Sequence, residues 1–181
     1  FTANAGLIAG HLFVPSRFRH KERAGEEVHF AEWARRTGLT VISLPQGICF
    51  EGAGDALFDR RRPILWLGHG FRTDSAAANA IAALLAPQGY NVEPLRLVDP
   101  RFYHLDTCFC PPAVDAESLE RLEGLLPPAE RITVGEKDAA AFACNAVNVG
   151  SKVLLNAASP ALRARLEVRG FEVIVTPLGH F

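Results

Sequence analysis

The chain contains no methionine, and its first residue is phenylalanine. Polypeptides do not normally begin there, so the 181 residues read as a piece of something longer or as a processed product. No apolar run approaches the ~20 residues that a membrane-spanning helix needs. No basic segment followed by an apolar stretch opens the chain as a secretory signal would. A cytoplasmic protein with no membrane partner is expected. Charge of one sign is also missing: 19 Lys and Arg against 20 Asp and Glu leave a net charge of -1, and no basic stripe carries interleaved aromatics. That balance gives no support for a nucleic-acid partner. Cysteine is sparse, at Cys49, Cys108, Cys110 and Cys144. In a chain this size without a leader, reduced thiols are expected rather than two disulfides. What remains is the composition of a globular protein, 49% hydrophobic and 22% charged, and a length that suggests a single domain over 1–181.

The order within that length is repetitive. Asn4, Asp55, Asp106 and Asn145 each precede a strand-like run, at intervals of 51, 51 and 39 residues. In the first unit, residues 5–8 and 12–14 flank the turn Ala9-Gly10. Residues 26–36 have helical character, with Val28, Phe30, Trp33 and Ala34 giving a partial apolar stripe. Gly38 ends that helix as a C-cap, and the β-branched run 39–42 closes the unit as a strand. The second unit repeats this with residues 56–58, the basic turn Arg60-Arg61-Arg62-Pro63, the strand 64–67, an Ala-rich helix over 75–85, Gly89, and a strand near Val92. The fourth carries 146–149, the turn Gly150-Ser151, 152–155, a helix opened by Ser159 as N-cap with Pro160 at its first position, Gly170, and a last strand over 171–175. The third differs. Residues 107–110 suit a first strand, but Pro111-Pro112 follows at once, and Asp115 then caps a helix over 116–126. Proline cannot donate to a strand ladder, so the unit lacks residues for its second strand, a deletion of roughly ten. The fold expected is α/β, from repeated strand-strand-helix-strand units arranged around an axis with polar residues converging at the centre. An ordinary α/β sheet with coincidental spacing is the alternative.

Two clusters carry chemistry. Phe50-Glu51-Gly52-Ala53-Gly54-Asp55 places two carboxylates on a glycine-rich turn. Phe102-Tyr103-His104-Leu105-Asp106 places an imidazole two residues before another carboxylate, so that both can share one face of a strand. Such a set suits a flat cation such as a guanidinium, whose N–H forks match carboxylate oxygens two at a time. His104, Cys108 and Cys110 also form H-x₃-C-x-C. Structural zinc wants four ligands with paired spacings, and no second pair is evident, so no metal or other cofactor is expected. The run at Arg60-Arg61-Arg62 reads as a solvated turn.

Together these segments resemble the guanidine-modifying, pentein-fold enzymes: arginine deiminases, dimethylargininases and amidinotransferases, and most of all the arginine dihydrolase branch. The resemblance rests on Phe1-Thr2-Ala3-Asn4-Ala5-Gly6-Leu7, Ser16-Arg17-Phe18, residues 50–57, Gly70-Phe71-Arg72-Thr73, residues 102–110 and 142–148. It implies a five-bladed α/β propeller, of which four blades are present, one incomplete, with the fifth outside the sequence. It also implies hydrolysis of the guanidino group of L-arginine or a relative by covalent thiol catalysis. The catalytic cysteine would lie in a glycine-rich segment beyond the position matching Phe181, and none of the four cysteines matches it. His104 would serve as general acid and then base. Glu51 would accept from the guanidinium or orient His104. Asn4 and Asp106 would be guanidinium ligands. Asp55 would contact substrate or stabilise the turn. Arg17 and Arg72 would hold the substrate's α-carboxylate or simply be solvated. Many deiminases have aspartate where Asn4 stands, which fits the dihydrolase branch. A chain lacking the nucleophile has a second reading, an inactive remnant that binds arginine-like ligands. A small guanidino molecule is the expected partner, and a homo-oligomer is left open.

Overall fold

The computed structural model describes residues 4–108 and 113–177. They form two compact units: residues 4–97 with 103–105, and residues 98–102, 106–108 and 113–177.

In the first unit, β1 (Gly6–Ala9) and β2 (Leu12–Pro15) form an antiparallel hairpin. A short helix α1 (Lys21–Ala24) and the longer α2 (Glu26–Arg36) lead to β3 (Thr40–Val41), which pairs parallel to β2. The same connectivity recurs in β4 (Ala56–Phe58), β5 (Ile64–His69), α3 (Ala76–Leu85) and β6 (Asn91–Arg96), antiparallel then parallel. β5 is apolar along most of its length because it is a central strand covered on both faces; Ile64 to Leu67 are all buried. On α3, Ala77, Ile81 and Leu85 recur every four residues and are all fully buried, a single helical stripe. They join Leu7, Val14, Phe50, Leu65 and Leu67 in one core.

The second unit holds α4 (Ala116–Leu125), α5 (Glu136–Ala140), β7 (Val147–Val149), β8 (Lys152–Leu155), α6 (Pro160–Val168) and β9 (Glu172–Val175). Strands β7, β8 and β9 repeat the antiparallel-then-parallel order over a core of Ala143, Val153, Leu155, Leu162 and Val173. The caps read from sequence are in place. Ser159 Oγ accepts from Leu162 N–H at 3.2 Å, and Asp115 accepts from Ser118 N–H at 2.9 Å. Asp115→Ala is expected to lower unfolding free energy by about 1 kcal/mol, read as a shifted urea midpoint at unchanged slope.

Two local expectations are corrected. The apolar stripe of α2 is mostly bare: Ala34 is buried, but Val28 and Trp33 are 54% and 51% exposed. The strand over 107–110 is absent where it is described. Thr107 closes a one-turn 3-10 helix, Leu105–Thr107, and Cys108 follows in a turn; Phe109, Cys110, Pro111 and Pro112 lie outside the described residues. His104 and Asp106 therefore do not share a strand face. The cause is a distant partner: Leu105 N–H donates to the Asp55 carboxylate, 50 residues earlier, at 3.0 Å. Among the described residues no helix is long and apolar enough to cross a membrane.

Candidate active site

Phe50 is wholly buried and bonds backbone to backbone with Arg17 at 2.8 and 3.0 Å, so the chain leaving it has a fixed direction. Glu51 follows, then the one-turn 3-10 helix Gly52–Gly54, then Asp55 at the entrance to β4. Glycine is needed twice in that turn. Gly52 has φ +58°, and a Cβ there would meet Gly6 N at 2.7 Å and Ser16 Oγ at 2.8 Å. A Cβ on Gly54 would overlap Asn4 Nδ2 and stand 3.3 Å from His104 Nδ1.

Residues 103–105 return to the first unit and bring His104 between the two carboxylates. Its Nε2 lies 3.2 Å from Glu51 Oε2, and its Nδ1 lies 3.2 Å from Asp55 Oδ2. Both acids are buried, with 0% and 1% exposure. Asp55 accepts from Leu105 N–H on Oδ1 at 3.0 Å and from the Thr73 hydroxyl on Oδ2 at 2.7 Å. The same hydroxyl accepts from Glu51 N–H at 3.1 Å. Glu51 Oε1 accepts from the Arg19 backbone N–H at 3.2 Å, and Oε2 from the Arg72 guanidinium at 3.3 Å. Asn4 Nδ2 donates to the Glu51 carbonyl at 3.3 Å and lies 3.4 Å from His104 Nε2. The Tyr103 ring meets the imidazole edge-on at 5.1 Å, and the Arg72 guanidinium carbon stands 4.7 Å from the Tyr103 centroid.

The electrostatics follow from this packing. Burial alone would depress the pKa of His104, but hydrogen bonds and charge from Asp55 and Glu51 outweigh it and push it up to about 9. Burial pushes the Glu51 carboxyl up; the His104 ring, the Arg19 N–H and Arg72 outweigh that and hold it below the usual carboxylate range. At neutral pH the cluster is an imidazolium between two carboxylates, with a guanidinium beside Glu51. Gly54→Ala is expected to displace Asn4 or His104, and so to drop the imidazole toward the ordinary value of about 6.5. An NMR titration of the His104 ring checks it.

The first unit thus gathers five of the seven sequence-picked residues: Asn4, Glu51, Asp55, Arg72 and His104. Arg17 points elsewhere, its guanidinium donating to the carbonyls of Pro45 at 2.5 Å and Leu44 at 3.3 Å. Asp106 belongs to the second unit. Thr73, fully buried, and Arg19 have structural parts that the sequence did not announce. A hydroxyl or a backbone N–H acquires such a part only from neighbours 18 to 32 residues away. Asp74 pairs with the Arg19 guanidinium and accepts from Cys49 N–H at 2.7 Å. Among the described residues, Cys49, Cys108 and Cys144 form no disulfide, and burial pushes the Cys49 thiol up, away from the thiolate a nucleophile needs.

No protein-family model matches the chain, but individual relatives do. It is 50% identical over 191 residues to the bifunctional arginine dihydrolase/ornithine cyclodeaminase ArgZ of Synechocystis sp., across 100% of this chain and 27% of that protein. Crystal structures of the N-terminal domain of ArgZ, one bound to substrate and one covalently bound to a reaction intermediate, superpose with a TM-score of 0.93 at 50% identity, covering 98% of this chain and 68% of theirs. The chain belongs to the guanidine-modifying, pentein-fold superfamily, in its arginine dihydrolase branch. Another relative, the N(G),N(G)-dimethylarginine dimethylaminohydrolase of Mycobacterium tuberculosis, is 41% identical over 99% of this chain and 60% of that protein. The chain spans about a quarter of ArgZ, and its pentein fold combines mixed sheets with helices.

Proposed function

We propose that this protein hydrolyses the guanidino group of L-arginine or a related arginine derivative through a covalent cysteine intermediate. The observation that supports it most is His104 held as an imidazolium between Glu51 and Asp55, next to the Asn4 amide. In this reading a thiolate from a cysteine other than the four present attacks the guanidinium carbon. The planar centre becomes tetrahedral, His104 protonates the departing amine, and an amidino-thioether remains. His104, now neutral, takes a proton from water as that water attacks the same carbon, and the thiolate is expelled. A ring pKa near 9 suits the first step, since the acid is loaded at neutral pH.

The other residues take parts that the packing supports. Glu51 orients His104 and offers Oε2 to a cation. Asn4 offers its amide oxygen to the guanidinium, and Asp106 remains a proposed second ligand. Asp55 has both oxygens engaged by Thr73, Leu105 and His104, which supports a positioning part over substrate contact. Arg72 is the better candidate for the α-carboxylate, since the Arg17 fork is spent on loop carbonyls. The repeated strand-strand-helix-strand units are read as propeller blades, one incomplete and one outside the sequence, within a single guanidine-modifying domain. An inert binding remnant finds no support in ArgZ or the dimethylarginine dimethylaminohydrolase, whose names are those of hydrolases.

The test uses the full-length protein with L-arginine. Ammonia release, together with an acid-quenched adduct of amidino mass on one cysteine, is the expected result. Undiminished turnover after every cysteine is replaced by serine would overturn the covalent step.

A further inference from the structure

The Arg72 guanidinium is the same chemical group as the proposed substrate's reacting end, and it already rests on the carboxylate that such a group would seek. Its Nη1 lies 3.3 Å from Glu51 Oε2. Glu51 has no exposed side-chain surface, whereas the Arg72 side chain is 23% exposed and lies over the half-exposed Tyr103 ring. One of the five guanidinium donors makes this contact.

We propose that Arg72 is an internal competitor for the cation position at Glu51, and that it makes a carboxylate on the substrate a condition of tight binding. This rests on the proposed function. The logic is an exchange of ion pairs. A guanidino acid brings a guanidinium for Glu51 and a carboxylate for the fork of Arg72, so one pair is replaced by two. A guanidine without the carboxylate must evict Arg72 and leave it unpaired at the mouth of a largely buried cluster, where an uncompensated charge is costly. Arg72 thereby excludes simple guanidines and guanidino amines by repulsion and competition, as well as attracting the acid. Tyr103 serves as the platform that keeps the competitor in range.

Isothermal titration on full-length protein, with its nucleophilic cysteine replaced by serine to prevent turnover, reads both ligands. The probes are L-arginine and agmatine, its decarboxylated analogue. In Arg72→Ala, agmatine should bind about 10-fold tighter than to the parent and arginine about 10-fold weaker, so that the preference falls about 100-fold, with each decade worth about 1.4 kcal/mol. Tyr103→Leu removes the platform but keeps the fork. It should also tighten agmatine while leaving arginine within about 3-fold, and it stands in should Arg72→Ala misfold. Agmatine binding that is unchanged or weakened in these variants, with arginine still bound by the parent, overturns this proposal alone. A parent that binds no arginine overturns the proposed function and this proposal with it.

Discussion

His104→Ala in the full-length protein is expected to cut kcat for arginine hydrolysis by roughly 10² to 10⁴-fold, the usual worth of a positioned general acid and base. That corresponds to about 3 to 5 kcal/mol of barrier. The magnitude follows from the position of the ring. His104 is 5% exposed, both of its nitrogens face carboxylates at 3.2 Å, and its pKa near 9 keeps it charged where the leaving amine needs a proton. An alanine leaves Glu51 and Asp55 without their shared cation, so part of any loss can reflect repulsion between two buried acids. His104→Gln separates the effects: it fills the same space and can donate to a carboxylate, yet it cannot supply a proton. Both variants should lose turnover while the glutamine variant retains arginine binding. A variant with parental kcat would remove His104 from the chemistry.

Raising the pH from 6 to 10 should cost the fold on the order of 3 kcal/mol through His104 alone. The folded pKa of about 9 stands above the ordinary imidazole value of about 6.5. The stabilisation is therefore complete below the unfolded value and disappears as pH rises through the folded one. Glu51 works in the opposite sense. Its folded pKa is lowered, so its contribution is present above the ordinary carboxylate range and is lost as pH falls through the folded value. Urea unfolding at pH 6 and pH 10 measures the alkaline arm. Lysine and tyrosine begin to titrate there as well, so Asp55→Asn is the control. It removes the strongest of the groups that raise His104 while keeping an oxygen for Leu105 N–H. The alkaline loss should shrink clearly in Asp55→Asn; an equal loss in both proteins would mean that His104 is not the group responsible.

Much of the local structure was legible because it depends on near neighbours. The helix over Glu26–Arg36 follows from its periodicity and from Gly38 beyond it; α6 follows from Ser159 and Pro160. The 51-residue interval was legible too, since each repeat carries its own turn and helix signals. The bare α2 face was less so. Val28 and Trp33 look like core residues by hydrophobicity, and nothing local says whether a covering surface exists. The third repeat misled for a related reason. Residues 102–110 carry aromatic and β-compatible side chains, yet a single buried carboxylate, Asp55, captures Leu105 N–H and diverts the chain into a 3-10 turn.

The sequence by itself determined the residue types of the site and the glycines that let them approach, because Gly52 and Gly54 have no side chain to collide with Gly6, Asn4 and His104. It also determined the strand-strand-helix-strand order, which near-neighbour propensities and caps specify. Only the tertiary structure decided which polar groups share protons. His104 lies 53 and 49 residues from its two acids, Thr73 joins those acids from a third segment, and Arg72 sits on Glu51 rather than in water. Hydrogen bonds and charge interactions act within a few ångströms of space, and separation along the chain does not encode that distance.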